Sequence, residues 1–154
     1  MNFMDLAVLD AYNGIKANHG GPFGAVIIDE NDNIVATGHN CVIKNNDPTA
    51  HGEITAIRNA CQKLGKYDLK GCKLYTTAYP CPMCLSAIMW ANIDTVYYGA
   101  TAQDTTNLLG FRDDGMYNFI KGKESDIDLQ ILPKDRTNCL KLFTDYKNLN
   151  PTIY

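Results

Sequence analysis

Apolar residues recur at helical spacing in the first part of the chain. Phe3, Leu6, Ala7, Tyr12 and Ile15 predict an amphipathic helix from about Asp5 to Asn18. His19-Gly20-Gly21-Pro22 stops it, because paired glycines and a proline disfavour further turns. The pattern then changes to β-branched runs. Phe23 to Ile28 and Ile34 to Gly38 predict two strands, and the turn cluster Asp29-Glu30-Asn31-Asp32-Asn33 makes them an antiparallel hairpin. A loop through Asn45-Asn46-Asp47-Pro48 opens a second helix, with Asp47 or Thr49 as its cap. Ile54, Ile57, Ala60, Cys61 and Leu64 form its apolar stripe and Gly65 ends it. Cys72 to Thr77 predicts a strand, Ala78-Tyr79-Pro80 a loop, Pro82 to Trp90 a helix and Thr95 to Gly99 a strand.

Beyond Thr101 the periodicity weakens. Gly110 to Gly115 reads as a loop, Met116 to Lys121 as a short helix and Ile127 to Leu132 as an alternating strand. Cys139 to Leu149 reads as a C-terminal helix, followed by the non-helical tail Asn150 to Tyr154. The order α-β-β-α-β-α-β, then α-β-α, predicts an α/β fold in three layers (α/β/α). Its sheet is mixed and five-stranded, with helices on both faces.

Composition changes this picture little. A chain of 154 residues predicts one domain, 1–154, with room for a sizeable core. The net charge of −3 argues against a dedicated nucleic-acid partner, which generally shows a basic face. No apolar run approaches the roughly 20 residues a bilayer span requires, and no export signal is visible at the N-terminus. A cytoplasmic location is therefore expected. There Cys41, Cys61, Cys72 and Cys139 read as small buried hydrophobes, without disulfides. His19 and His39 have no partner at ligand spacing and read as solvated loop residues.

The chemistry concentrates in two short stretches. Pro48-Thr49-Ala50-His51-Gly52-Glu53 offers an imidazole and, two residues on, a carboxylate; Pro80-Cys81-Pro82-Met83-Cys84 offers two thiolates. Both fall where helices are predicted to begin, so helix N-termini direct partial positive charge at them and favour thiolate over thiol. His51, Cys81 and Cys84 supply three ligands for one zinc ion per chain and leave a position for water, the arrangement of a catalytic site. Glu53 is then placed to take a proton from that zinc-activated water and pass it to the substrate, as hydrolytic deamination requires. H-x-E together with P-C-x-x-C is the signature of zinc nucleobase deaminases. A lone C-x-x-C also occurs in redox pairs and zinc ribbons. No second such pair exists here, and a redox role leaves His51 and Glu53 without a purpose.

At these residues the sequence resembles the cytidine deaminase superfamily, and within it the bacterial guanine deaminase branch. Gly20-Gly21-Pro22-Phe23-Gly24-Ala25, Asn45 to His51 and Pro80 to Cys84 resemble the shared core, while Gly110-Phe111-Arg112-Asp113-Asp114 and Tyr154 resemble guanine-specific additions. The resemblance implies zinc-dependent hydrolysis of a free purine base, guanine to xanthine and ammonia. It gives His51, Cys81 and Cys84 as zinc ligands and Glu53 as the proton shuttle. It also implies that Asn40 hydrogen-bonds the purine, that Asp113 (or Asp114) reads the 2-amino group or assists its departure, and that Tyr154 closes the pocket. Phe23 and Trp90 either stack on the base or belong to the core. A homodimer that exchanges the C-terminal segment, about 134–154, is implied as well.

Two positions depart from the pattern. Ala78-Tyr79 stands where the family often has Cys-Glu, and Gly52 stands where alanine is commoner, a feature shared with fungal cytosine deaminases. Deamination of cytosine, of another aminopurine or pterin-like base, or of adenosine in tRNA therefore stays open. So does a zinc-stabilised interaction module without activity.

Overall fold

The computed structural model describes residues 2–154. In chain order it contains α1 (Phe3–Lys16), β1 (Gly24–Ile28), β2 (Ile34–His39), α2 (Val42–Asn45), α3 (Gly52–Leu64), β3 (Lys73–Ala78), α4 (Pro82–Trp90), β4 (Thr95–Ala100), α5 (Ala102–Leu109), α6 (Asp113–Ile120) and α7 (Arg136–Lys147). The fold is α/β with one mixed sheet in the order β2-β1-β3-β4. β1 pairs antiparallel with both β2 and β3, whereas β3 and β4 run parallel and are joined through α4.

The sheet has four strands, not the expected five. Ile127 to Leu132 alternates in sequence, but alternation marks an extended segment and a strand also needs a partner edge. Here Ser125 ties that segment to α6 instead: its Oγ donates to the Gly115 carbonyl and accepts from the Ile127 amide. Leu129, Ile131 and Leu132 are left exposed.

β1 is buried along its whole length, and its alternating side chains separate the two faces. Ala25 and Ile27 pack with Leu74 against Ala56 and Ala60 of α3 and against Ile88 of α4. Val26 and Ile28 pack on Ala7 of α1, with Phe3, Leu6 and Tyr75 around them. Helices therefore cover both faces, as expected. Two glycines allow the close approaches that fix this stacking. A Cβ on Gly24 would fall 2.1 Å from the Ala7 carbonyl oxygen, and one on Gly38 would fall 2.3 Å from the Ala56 amide nitrogen. The second contact seats the first turns of α3 directly on β2.

Helix ends follow capping chemistry more closely than apolar period. α1 starts earlier than expected because Asn2 and Asp5 form a reciprocal capping box, with bonds of 2.8 and 2.9 Å. α5, which the apolar pattern does not reveal, is opened by the same device. Thr101 accepts from the Asp104 amide at 3.0 Å and Asp104 accepts from the Thr101 amide at 2.9 Å. Gly110 closes it in a left-handed conformation, φ 76°. Thr101-x-x-Asp104 was the available sequence signal. Asp47 and Thr49, by contrast, do not cap α3. Asp47 accepts from both the amide and the hydroxyl of Thr49, closing the turn ahead of the helix, and His51 occupies the N-cap.

Candidate metal centre and active site

His51 and Cys81 are the N-cap residues of α3 and α4, both in extended backbone conformation. Neither helix has a side-chain cap, so the free amides of two N-termini converge on the same region. Cys84 sits one turn into α4 and comes back to the same side as Cys81. His51 Nδ1 lies 3.6 Å from each of the two sulfurs. A tetrahedral zinc ion bound by imidazole and thiolate separates N from S by about 3.5 Å. The donor set therefore fits zinc, through Nδ1 of the imidazole.

The three ligand-type side chains perturb one another as a crowded, buried group does. The Cys81 thiol is pulled down to about 4, first by its hydrogen bond with Cys84 and then by that with His51. Cys84, which shares its proton with Cys81 and is buried, is pushed up, and the bond to Cys81 raises His51. Thus one sulfur is poised as thiolate beside the imidazole, and a cation favours ionisation of the second.

Glu53 is buried in the first turn of α3, only 5 % exposed. Burial pushes its carboxyl up to about 7, and the negative charge on Cys81 adds to the rise. A carboxyl held near neutrality exchanges a proton readily in both directions.

Asp113 begins α6, a helix that the apolar pattern placed three residues later. Burial raises its pKa, the charge on Cys81 raises it further and His51 opposes the rise, so its carboxyl lies within electrostatic reach of the cluster. Successive residues on a helix turn by about 100°, so Asp113 and Asp114 point apart. Tyr117, one turn after Asp113, donates its hydroxyl to the Pro80 carbonyl and meets Tyr79 edge-on at 6.0 Å. It fastens α6 to the loop that carries Cys81. The i, i+4 relation to Asp113 could have flagged Tyr117 in the sequence.

Asn40 is buried at the end of β2. Its amide donates to the Phe23 carbonyl at 2.9 Å, and its Oδ1 accepts from the Val42 amide at 3.1 Å. That orientation leaves Nδ2, without a partner among the described residues, as an available donor. Phe23 is half-buried beside it and meets Phe111 edge-on, with centroids 5.3 Å apart. Gly52 lies against the same backbone: a Cβ there would be 3.1 Å from the Phe23 carbonyl oxygen.

Two expected contacts are not brought together with these. Trp90 ends α4, six residues beyond Cys84 and so about 9 Å along the axis from it, with 68 % of its surface exposed. At that exposure it is not part of the core. Tyr154 packs against Trp90 and Tyr67, at 6.2 and 6.0 Å between centroids, and does not close the site of its own chain. The apolar character of both residues was legible; their location depended on the direction of α4 and the path of the tail.

The model of the cytidine and deoxycytidylate deaminase zinc-binding region matches residues 1–100. The chain belongs to this zinc-binding deaminase family. The guanine deaminase of Bacillus subtilis is 43% identical over 146 residues, covering 95% of this chain and 92% of the relative. The crystal structure of guanine deaminase from Bacillus subtilis superposes with a TM-score of 0.90 at 42% identity, covering 100% of this chain and 99% of the other. The tRNA-specific adenosine deaminase of Agrobacterium fabrum is 41% identical, but over 99 residues, 64% of each chain. Within the deaminase family, then, the likeness to the Bacillus protein continues through α5, α6 and α7. Among the described residues no helix is long and apolar enough to cross a membrane.

Proposed function

We propose that this deaminase hydrolyses guanine to xanthine and ammonia. The observation that carries the reading is the position of Asp113. Helix α6 lies beyond residues 1–100 of the family match, and its Asp113 carboxyl is within electrostatic reach of His51 and Cys81. A carboxylate suits an exocyclic amine, and the full-length likeness to a guanine deaminase supports the same substrate.

His51, Cys81 and Cys84 would hold the zinc ion, which when bound supplies a Lewis acid that eases ionisation of water. Glu53 accepts one proton from the attacking water and delivers it to the adjacent ring nitrogen; it then takes the remaining proton of the C2 hydroxyl as the C2–N bond breaks and gives it to the 2-amino group, which leaves as ammonia. Asn40 donates from Nδ2 to the purine and fixes its register. Asp113 accepts from the 2-amino group and steadies it as it leaves. Phe23, held edge-on by Phe111, offers a face to the ring, and the backbone at Gly52 brings that face up to Glu53.

Incubation of zinc-loaded protein with guanine, cytosine or a tRNA anticodon stem-loop, with ammonia as readout, tests this directly. Release from guanine alone is expected. Release only from cytosine would transfer the reading to the alternative that Gly52 raises, and release only from the stem-loop would sink it despite the net charge of −3. Asp113→Asn should lower kcat/KM for guanine by about 10²-fold, because the amide presents a donor to the substrate amine, while Asp114→Asn should stay within a few fold. An equal loss in both variants would remove Asp113 from substrate recognition.

The C-terminal segment fits an exchanged dimer. Leu142, Phe143, Leu149, Ile153 and Tyr154 are all largely exposed on one chain, an apolar surface that association would bury. Tyr154 would then serve the site of the second subunit. Deleting residues 153–154 should leave the melting temperature within a few degrees of wild type yet raise KM for guanine. Unchanged kinetics would exclude the tail from the site.

A further inference from the structure

Three more ligand-type side chains converge outside the His51 cluster. His19 follows α1, His39 ends β2 and Cys41 caps α2; one ligand atom from each lies within 4.8 Å of the other two. We propose that His19, His39 and Cys41 form a second metal site, for a borderline divalent cation of the zinc class. The sequence expectation that both histidines lack partners is thereby corrected, since they are partners of each other.

The arrangement around His39 is that of a held ligand. Its Nδ1 lies 3.1 Å from Asp10 Oδ1, so the proton sits on Nδ1 and the Nε2 lone pair faces inward. A carboxylate behind the outer nitrogen is the usual support of a metal-binding imidazole, fixing its tautomer and orientation. Nε2 faces His19 Nδ1 at 2.8 Å, with the two rings within 17° of parallel. Tetrahedral zinc keeps two imidazole nitrogens about 3.3 Å apart, so an opening of roughly half an ångström admits the ion.

The backbones that carry these side chains are held in place. A Cβ on Gly14 would fall 2.5 Å from His39 Cδ2, so the ring lies flat on the end of α1. The His19 carbonyl accepts from both Ile43 and Lys44 at 3.0 Å, and the Cys41 amide donates to Ala50 at 2.8 Å. A simple histidine pair would satisfy itself with one shared proton. It would leave unexplained the buried Cys41 sulfur, which reaches both rings and has no hydrogen-bond partner among the described residues.

Zinc alone is the probe. Full-length protein dialysed against saturating, buffered free zinc should carry two ions per chain, and His19→Ala and Cys41→Ser should each carry one. Both variants should still release ammonia from guanine, and cobalt substitution in Cys41→Ser should lose part of the thiolate charge-transfer absorbance. One ion per wild-type chain overturns the proposal, whatever the variants do. Two ions in wild type and in both variants overturns it equally, because the second ion then lies elsewhere. The ion count does not depend on which base is deaminated, so this site and the guanine reading fail independently.

Discussion

Glu53→Gln is expected to keep the full zinc content of the wild type while guanine turnover falls by about 10³-fold. The glutamine amide nearly matches the carboxylate in size but cannot accept a proton from water or return one to the leaving amine. The fold should tolerate it. Burial already pushes the native carboxyl up to about 7, so ionising it inside the protein is unfavourable and a neutral amide removes that cost. Metal analysis and ammonia release on the same preparation check both halves. Loss of an ion would make Glu53 a ligand, and activity within tenfold of wild type would assign the proton transfer elsewhere.

Cys84→Ser should be as damaging by a different route. Cys84 is fully buried one turn into α4, 3.6 Å from His51 Nδ1. A serine hydroxyl is shorter and remains protonated at neutral pH, so the three-ligand set becomes two. One zinc ion per chain should be lost and ammonia release should fall to background. An ion that binds only the folded chain stabilises it by about 4 kcal/mol at a thousandfold excess over its Kd, so the thermal shift given by added zinc should shrink accordingly. Unchanged zinc content would show that His51 and Cys81 suffice without Cys84. Cys41→Ser provides the internal contrast, since it too should lose one ion while keeping activity.

Much of this was readable because the decisive residues are close in sequence. His51-Gly52-Glu53 and Cys81-Pro82-Met83-Cys84 each carry their spacing within a single helix start, and helix geometry then settles which side chains share a side. The strands β1 to β4 were likewise marked by β-branched runs between turn residues. Where the reading failed, information from distant segments was needed. Ile127 to Leu132 had a strand pattern, but Ser125 holds the segment to α6 and it joins neither open edge of the sheet. Asp113 and Asp114 were indistinguishable in the sequence, and the electrostatic coupling of Asp113 to His51 and Cys81 depends on where α6 packs.

The sequence by itself determined the ligand-type residues, the carboxylate proposed as the shuttle and the helix starts that hold them, because these depend on contacts a few residues apart. The tertiary structure alone decided what meets across the fold. It set α3 on Gly38, carried Asp113 within electrostatic reach of the cluster, fastened α6 through Tyr117 to Pro80, and brought His19 within 2.8 Å of His39, twenty residues away. Such meetings depend on how α1, β2 and α6 are packed, and no local period encodes that.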